Sequence, residues 1–179
     1  MKFFTIASGL VAAVSAIDIR LRSGGGCTGT YVACVGINPN TCCSNGGTAF
    51  IAVGAVAIPS NWRIELRTYQ NGGCNTLRGI QGSGGVTNMC ISENDGIARL
   101  TGGGWNFSSK KRNAGAAACS TTGCTSTVKP DILVLEDETT TFAIAEMEES
   151  LLNVLMDYAI NGTQAADLPQ VYEPYKIET

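Results

Sequence analysis

Eight cysteines, Cys27, Cys34, Cys42, Cys43, Cys74, Cys90, Cys119 and Cys124, are the residues of this chain best able to do chemistry, and no histidine accompanies them. Their spacing excludes more than it admits. A structural zinc site needs paired C-x2–4-C units, often completed by histidine. Only Cys119 and Cys124 come near that pattern, and no second pair follows them. Dithiol redox chemistry of the thioredoxin kind needs C-x-x-C, which is absent. What remains is a disulfide framework, which an even cysteine count behind a secretion-type leader favours. The sequence does not settle the connectivity. Adjacent Cys42 and Cys43 point in different directions and should join separate partners. The order of cysteines in the internal repeat described below favours Cys74 with Cys90, and short spacing favours Cys119 with Cys124.

Nucleophilic hydrolysis by a serine or cysteine needs a base, and without histidine the triad logic fails. Paired carboxylates could still serve a glycosidase. The acids of the first hundred residues are few: Asp18, Glu65, Glu93 and Asp95. Of these, Glu93-Asn94-Asp95-Gly96 has the composition of a turn. The glycine-rich runs lack both the strand–loop–helix context and the lysine of a phosphate cradle. The sequence therefore assigns no catalytic residue, no cofactor and no metal ligand.

These cysteines are positioned by a chain with three kinds of segment. Residues 1–16 read as a signal peptide: a lysine, an apolar stretch over 3–14, and small residues at Val14-Ser15-Ala16. Residues 17–107 read as a disulfide-stabilised β body. Ile17-Asp18-Ile19-Arg20-Leu21-Arg22 and Trp62-Arg63-Ile64-Glu65-Leu66-Arg67 both alternate apolar with polar residues, and each runs through a glycine-rich loop to a cysteine, Cys27 or Cys74. Ile17, Ile19 and Leu21 should face inward, as should Trp62, Ile64 and Leu66, with the arginines outward. Val32-Ala33-Cys34-Val35 is matched to Thr87-Asn88-Met89-Cys90, and Phe50-Ile51-Ala52-Val53 to Ile97-Ala98-Arg99-Leu100. Two copies of four short strands result, over about 17–61 and 62–107.

Residues 108–130 read as a linker or surface loop, and residues 131–179 as an acidic α/β tail. Within the tail, Ile132-Leu133-Val134-Leu135 suits a strand, Glu136-Asp137-Glu138-Thr139 a turn and Thr141-Phe142-Ala143-Ile144 a return strand. A helix is predicted over 145–160, with Met147, Leu151, Val154, Leu155 and Tyr158 on one face and Asn161-Gly162 at its end. Beyond Leu168 the chain is expected to be extended.

Charge is unevenly divided. Residues 17–112 carry nine Lys/Arg against four Asp/Glu, a net +5, and residues 113–179 carry two against eleven, a net −9. Three of the nine cations form Lys110-Lys111-Arg112, a dibasic processing candidate at Lys111 and Arg112. Nucleic-acid binding calls for a denser basic stripe with interleaved aromatics. No apolar segment after the leader approaches the roughly 18 residues of a membrane span. Asn106-Phe107-Ser108 and Asn161-Gly162-Thr163 are glycosylation sequons.

Cys27-Thr28-Gly29, Asn38-Pro39-Asn40-Thr41-Cys42-Cys43 and Trp62-Arg63-Ile64-Glu65-Leu66-Arg67, with Lys129-Pro130-Asp131-Ile132-Leu133-Val134-Leu135-Glu136-Asp137 in the tail, resemble small cysteine-rich secreted proteins of filamentous fungi. That group includes candidate effectors and antimicrobial proteins, and it offers no catalytic residues to transfer. The duplicated four-strand unit also resembles βγ-crystallin-type Greek keys, with Cys27 and Gly29 at the place of the aromatic–x–glycine signature. Cys74 is followed by Thr76 where the second copy should have that glycine, and the family's calcium motif is not visible.

The reading that follows is a mainly β protein: a two-repeat antiparallel β-sandwich, then a small α/β region with one amphipathic helix. It is secreted and non-enzymatic, an effector, toxin-like or cell-wall-associated factor whose partner is an extracellular protein or glycan. The alternatives are a hydrolase using Glu65, Glu93 and Asp95, and a protease inhibitor presenting a disulfide-held loop.

Overall fold

The computed structural model describes residues 17–108 and 124–177. The expected leader, the dibasic candidate Lys111 and Arg112, and Cys119 with its expected bond to Cys124 lie outside the described residues.

The chain is mainly β. Among the described residues, strands run β1 (Ile17–Arg22), β2 (Tyr31–Ile37), β3 (Thr41–Cys43), β4 (Ala52–Val56), β5 (Ile64–Gln70), β6 (Thr76–Gly82), β7 (Met89–Ser92), β8 (Leu100–Phe107), β9 (Ser126–Val128), β10 (Ile132–Val134), β11 (Thr141–Ala143) and β12 (Lys176–Ile177), with helix α1 (Glu149–Ile160) before the last. They build two sheets. The first has the order β12-β11-β10-β2-β1-β4-β7, and the second β6-β5-β8-β3-β9. Pairing is antiparallel throughout except for β3 with β9.

The duplication takes a particular form. Within the body the two orders are β2-β1-β4-β7 and β6-β5-β8-β3. Each four-strand copy keeps its first, second and fourth strands in one sheet and gives its third strand to the other copy's sheet. Neither copy can close its sheet alone.

The alternation that marks β1 and β5 does its work on the inner face. Ile17, Ile19, Leu21, Ile64 and Leu66 are all fully buried. The register differs from the expected one. β5 begins at Ile64 with the same buried–half-buried alternation as β1 from Ile17, so the copies align at Ile17 with Ile64, not with Trp62. Trp62 is half-buried and packs against Trp105 and Phe107 at ring-centroid separations of 5.7 and 4.8 Å. The match of residues 32–35 to 87–90 also fails, because β2 corresponds to β6. Strand β6 is a mostly exposed edge with almost no apolar alternation, and the apolar Met89 on β7 drew the match in its place.

Sheet packing is close at Gly103. A Cβ there would stand 2.5 Å from Val53 Cγ1 and 3.0 Å from Ile19 Cγ2. Small residues let the two layers approach where aromatic bulk is scarce.

The tail continues the first sheet. β10 pairs with β2, so Leu133 faces the core while Ile132 and Val134 join Tyr31 and Ala33 on the outer side. Helix α1 buries Leu152, Leu155, Met156 and Ala159 in the same apolar cluster as Leu133, Phe142 and Ile144. It begins four residues later than predicted, after a turn in which the Met147 N–H donates to the Ile144 carbonyl at 3.1 Å. Its buried face runs through Leu152, Leu155, Met156 and Ala159, which leaves Val154 of the predicted face exposed. The helix ends at Asn161, with Gly162 at φ 74° and its N–H on the Ala159 carbonyl. Beyond it the chain forms a short 3-10 turn at Ala165–Asp167, and the tail expected to be extended beyond Leu168 forms another at Gln170–Tyr175, because buried Tyr172 anchors it back on the helix. Ser126–Val128, within the segment read as linker, pairs with β3.

Candidate functional site

Three disulfides fall among the described residues: Cys27–Cys90, Cys34–Cys43 and Cys42–Cys74. Cys124 is disulfide-bonded as well. The strand pleat separates Cys42 from Cys43 on β3. Cys43 turns into the core and reaches Cys34 on the other sheet, while Cys42 turns outward to Cys74. The expected Cys74–Cys90 bond does not form. Each of those cysteines instead bonds across to the other copy. Cys27 follows β1 and bonds to Cys90 on β7, and Cys74 follows β5 and bonds to Cys42 on β3. The exchanged third strand carries Cys42 or Cys90 away from its own copy's loop. Two equivalent clasps therefore tie each copy's first loop to the strand it borrows. Gly102 leaves room for one of them, since a Cβ there would lie 2.7 Å from Cys74 Sγ.

The four body acids do not converge on one cleft. Asp18 Oδ1 accepts the Gly36 N–H at 2.9 Å. Glu65 pairs with Arg67 on its own strand at 3.0 Å. Glu93 accepts both Arg78 Nε and Nη2 at 2.9 Å and Arg99 Nη1 at 3.3 Å. Asp95 takes Arg99 Nη1 at 2.8 Å and the Ile97 N–H at 3.1 Å. The Arg78 hydrogen bonds hold Glu93 below the usual carboxylate range, and the Ile97 N–H and Arg99 do the same for Asp95. Arg78 lies on β6 in the second sheet and Glu93 just after β7 in the first, so this pair links the two sheets at one edge.

The sequons differ in setting. Asn161 is exposed at the helix terminus. Asn106 lies on β8 opposite Glu65, half-buried, with Oδ1 enclosed and without a hydrogen-bond partner.

The site that sequence reading missed is on the outer face of the first sheet. Arg20, Arg22, Cys27, Gly54, Val56, Asn88, Met89 and Cys90 line a cleft of about 490 Å³. Arg20, Gly54 and Cys90 stand in one cross-strand row, and Gly54 leaves the floor open. Both arginines sit over the Tyr31 ring, 4.7 and 4.3 Å from its centroid. Arg22 was expected to face solvent, yet it is buried. Its Nη1 donates to the Gly29 carbonyl at 3.1 Å and to Glu138 at 3.0 Å, the only ion pair between body and tail among the described residues. Arg20 has no carboxylate partner among the described residues, and its Nε is buried without an acceptor. No local motif marks such a site, because β1, β4 and β7 supply it from distant positions in the chain.

This geometry defines a class of protein: an extracellular β-sandwich clasped by disulfides, with Glu65, Glu93 and Asp95 of its body held in internal ion pairs. The chain belongs to the ARB_05566 family, matching that family's N-terminal domain over residues 18–131 and its C-terminal domain over residues 137–179. It is 27% identical over 183 residues to an "Uncharacterized secreted protein" of Arthroderma benhamiae, an alignment covering 99% of this chain and 93% of that one. No solved structure matches. The protein is secreted and extracellular, as the secreted relative and the disulfides together require. No described helix is long and apolar enough to cross a membrane.

Proposed function

We propose that this protein is a non-enzymatic extracellular interaction module, acting as an effector, toxin-like or cell-wall-associated factor. The observation that carries the reading is the Glu93 clamp. A general acid needs a carboxyl that stays protonated near working pH. Glu93 and Asp95, the body acids nearest each other in sequence, are instead held toward the ionised form, Glu93 by Arg78, which also ties the two sheets together, and Asp95 by the Ile97 N–H and Arg99. The double clasp of Cys27–Cys90 and Cys42–Cys74 supports the same reading, because it gives a rigid frame whose outer faces can be presented to a partner. The strand orders β2-β1-β4-β7 and β6-β5-β8-β3 support reading the body as paired Greek keys of the βγ-crystallin kind.

The test uses secreted full-length protein on protein and glycan arrays and, in parallel, in a reducing-end assay on cell-wall polysaccharides. Saturable binding without bond cleavage is expected. Hydrolysis that disappears in Glu93→Gln would overturn the proposal.

A further inference from the structure

The two copies carry the same arginine in two different states. Arg20 on β1 and Arg67 on β5 are equivalent in the Ile17–Ile64 register, and each stands opposite a glycine on its neighbouring strand, Gly54 and Gly104 respectively. In the second copy the guanidinium has a carboxylate partner: Glu65, two residues earlier, reaches Arg67 Nη2 at 3.0 Å, while Arg67 Nε and Nη1 are enclosed without an acceptor. The equivalent residue in the first copy is Asp18, one methylene shorter, and its carboxylate is spent on the Gly36 N–H. Arg20 is thus left over the Tyr31 ring, lining the cleft with no carboxylate partner among the described residues, its Nε enclosed like that of Arg67. The neighbouring cation does not share this vacancy, since Arg22 already holds Glu138.

We infer that the Arg20 cleft is a binding site for a carboxylate side chain of an acidic peptide segment in a partner protein. This rests on reading the chain as an interaction module, and it names the ligand chemistry. The Glu65–Arg67 pair shows the bound geometry inside the same molecule: one peptide carboxylate docked on the guanidinium of a strand arginine. Charge-assisted hydrogen bonds are stronger than neutral ones, and the aromatic ring fixes the guanidinium plane so that little freedom is lost on binding. The floor of the cleft is Gly54, and Val56 provides an apolar wall for the methylenes of a glutamate.

The experiment follows the Arg20 Nε–H resonance by NMR on ¹⁵N-labelled secreted protein, with the signal assigned through Arg20→Lys. The probes are a peptide alternating glutamate with glycine, its glutamine counterpart, and oligogalacturonate. A saturable shift of the Arg20 signal with the glutamate peptide alone is expected. Affinity should fall at least about tenfold in Arg20→Gln, the loss typical of a removed charge-assisted pair. It should also fall in Gly54→Ala, whose Cβ would meet the Met89 carbonyl at 3.4 Å, an ordinary contact that leaves the strand intact while raising the floor. Equal shifts with the glutamine peptide, an unmoved Arg20 signal, or a response to oligogalacturonate alone would each overturn the inference. If the arrays still capture a partner that Arg20→Gln does not weaken, this inference fails while the interaction reading stands. If neither the peptide nor any array component binds, both fail.

Discussion

Replacing Cys27 and Cys90 together by alanine tests whether the two clasps act as one unit. Taken alone, their separation of 63 residues exceeds the 32 between Cys42 and Cys74, and chain-entropy arguments give the longer loop the larger effect, about 4.3 against about 3.7 kcal/mol. The fold changes that ranking. With Cys34–Cys43 and Cys42–Cys74 intact, the covalent path from Cys27 to Cys90 runs through both bridges, and the circuit shrinks to roughly 25 residues, worth about 3.5 kcal/mol. Opening Cys42–Cys74 breaks the same circuit and has the same entropic effect. Cys42 and Cys74 also pack against buried Tyr69, which adds about 1 kcal/mol of lost burial. The Cys42/Cys74 variant should therefore be the less stable of the two, with melting temperatures lowered by roughly 9–18 °C against roughly 7–14 °C. Calorimetry or urea unfolding of the secreted variants measures both. A Cys27/Cys90 variant clearly less stable than its counterpart refutes the shared circuit.

Other outcomes follow from single sites. Glu93 has its folded-state pKa lowered by Arg78, so its contribution is present above the ordinary glutamate pKa and disappears as pH falls through the lowered value. Glu93→Gln should then narrow the gap in stability between pH 7 and pH 3 relative to the parent, and an unchanged pH profile in urea titrations would argue against the clamp. Gly103→Ala forces a methyl onto Val53 and Ile19 and should lose about 1–3 kcal/mol, read as a lower urea midpoint; an unchanged midpoint would mean the sheets can part freely. Asn161, exposed on its turn, should carry N-linked glycan while Asn106 does not. Intact mass before and after glycosidase treatment should lose its difference in Asn161→Gln and keep it in Asn106→Gln.

Sequence reading reached the features that one strand or one helix expresses by itself. Alternation in residues 17–22 and 64–67 exposes the inner face directly, because period two needs no tertiary information. The divergence of Cys42 and Cys43 follows from the pleat alone. The sequence could not reveal the exchange of third strands: β3 is three residues long and β7 four, too short for any periodicity to say which sheet they join. The wrong Cys74 partner follows from that gap, since bonds drawn within a copy assume that each copy keeps its own strands. Arg20 was invisible for a related reason. It reads as one more outward arginine until Gly54 and Tyr31 are placed beside it and Asp18 is seen bound to Gly36.

The departure from twofold symmetry also explains what the tail does for the fold. In the first sheet the outer edge of β2 is covered by β10, followed by β11 and β12. The equivalent edge in the second sheet, β6, has no strand beyond it among the described residues and carries half-exposed Ile80. An open seven-residue edge invites pairing with other chains. Here it is blunted by Gly79 and Gly82, which weaken strand pairing, and by Arg78, which is drawn toward Glu93 on the other sheet. The Arg78–Glu93 pair thus does for β6 what three added strands do for β2. It also makes Glu93 structural, so this acid can be given up to catalysis only by loosening an edge that the tail does not protect.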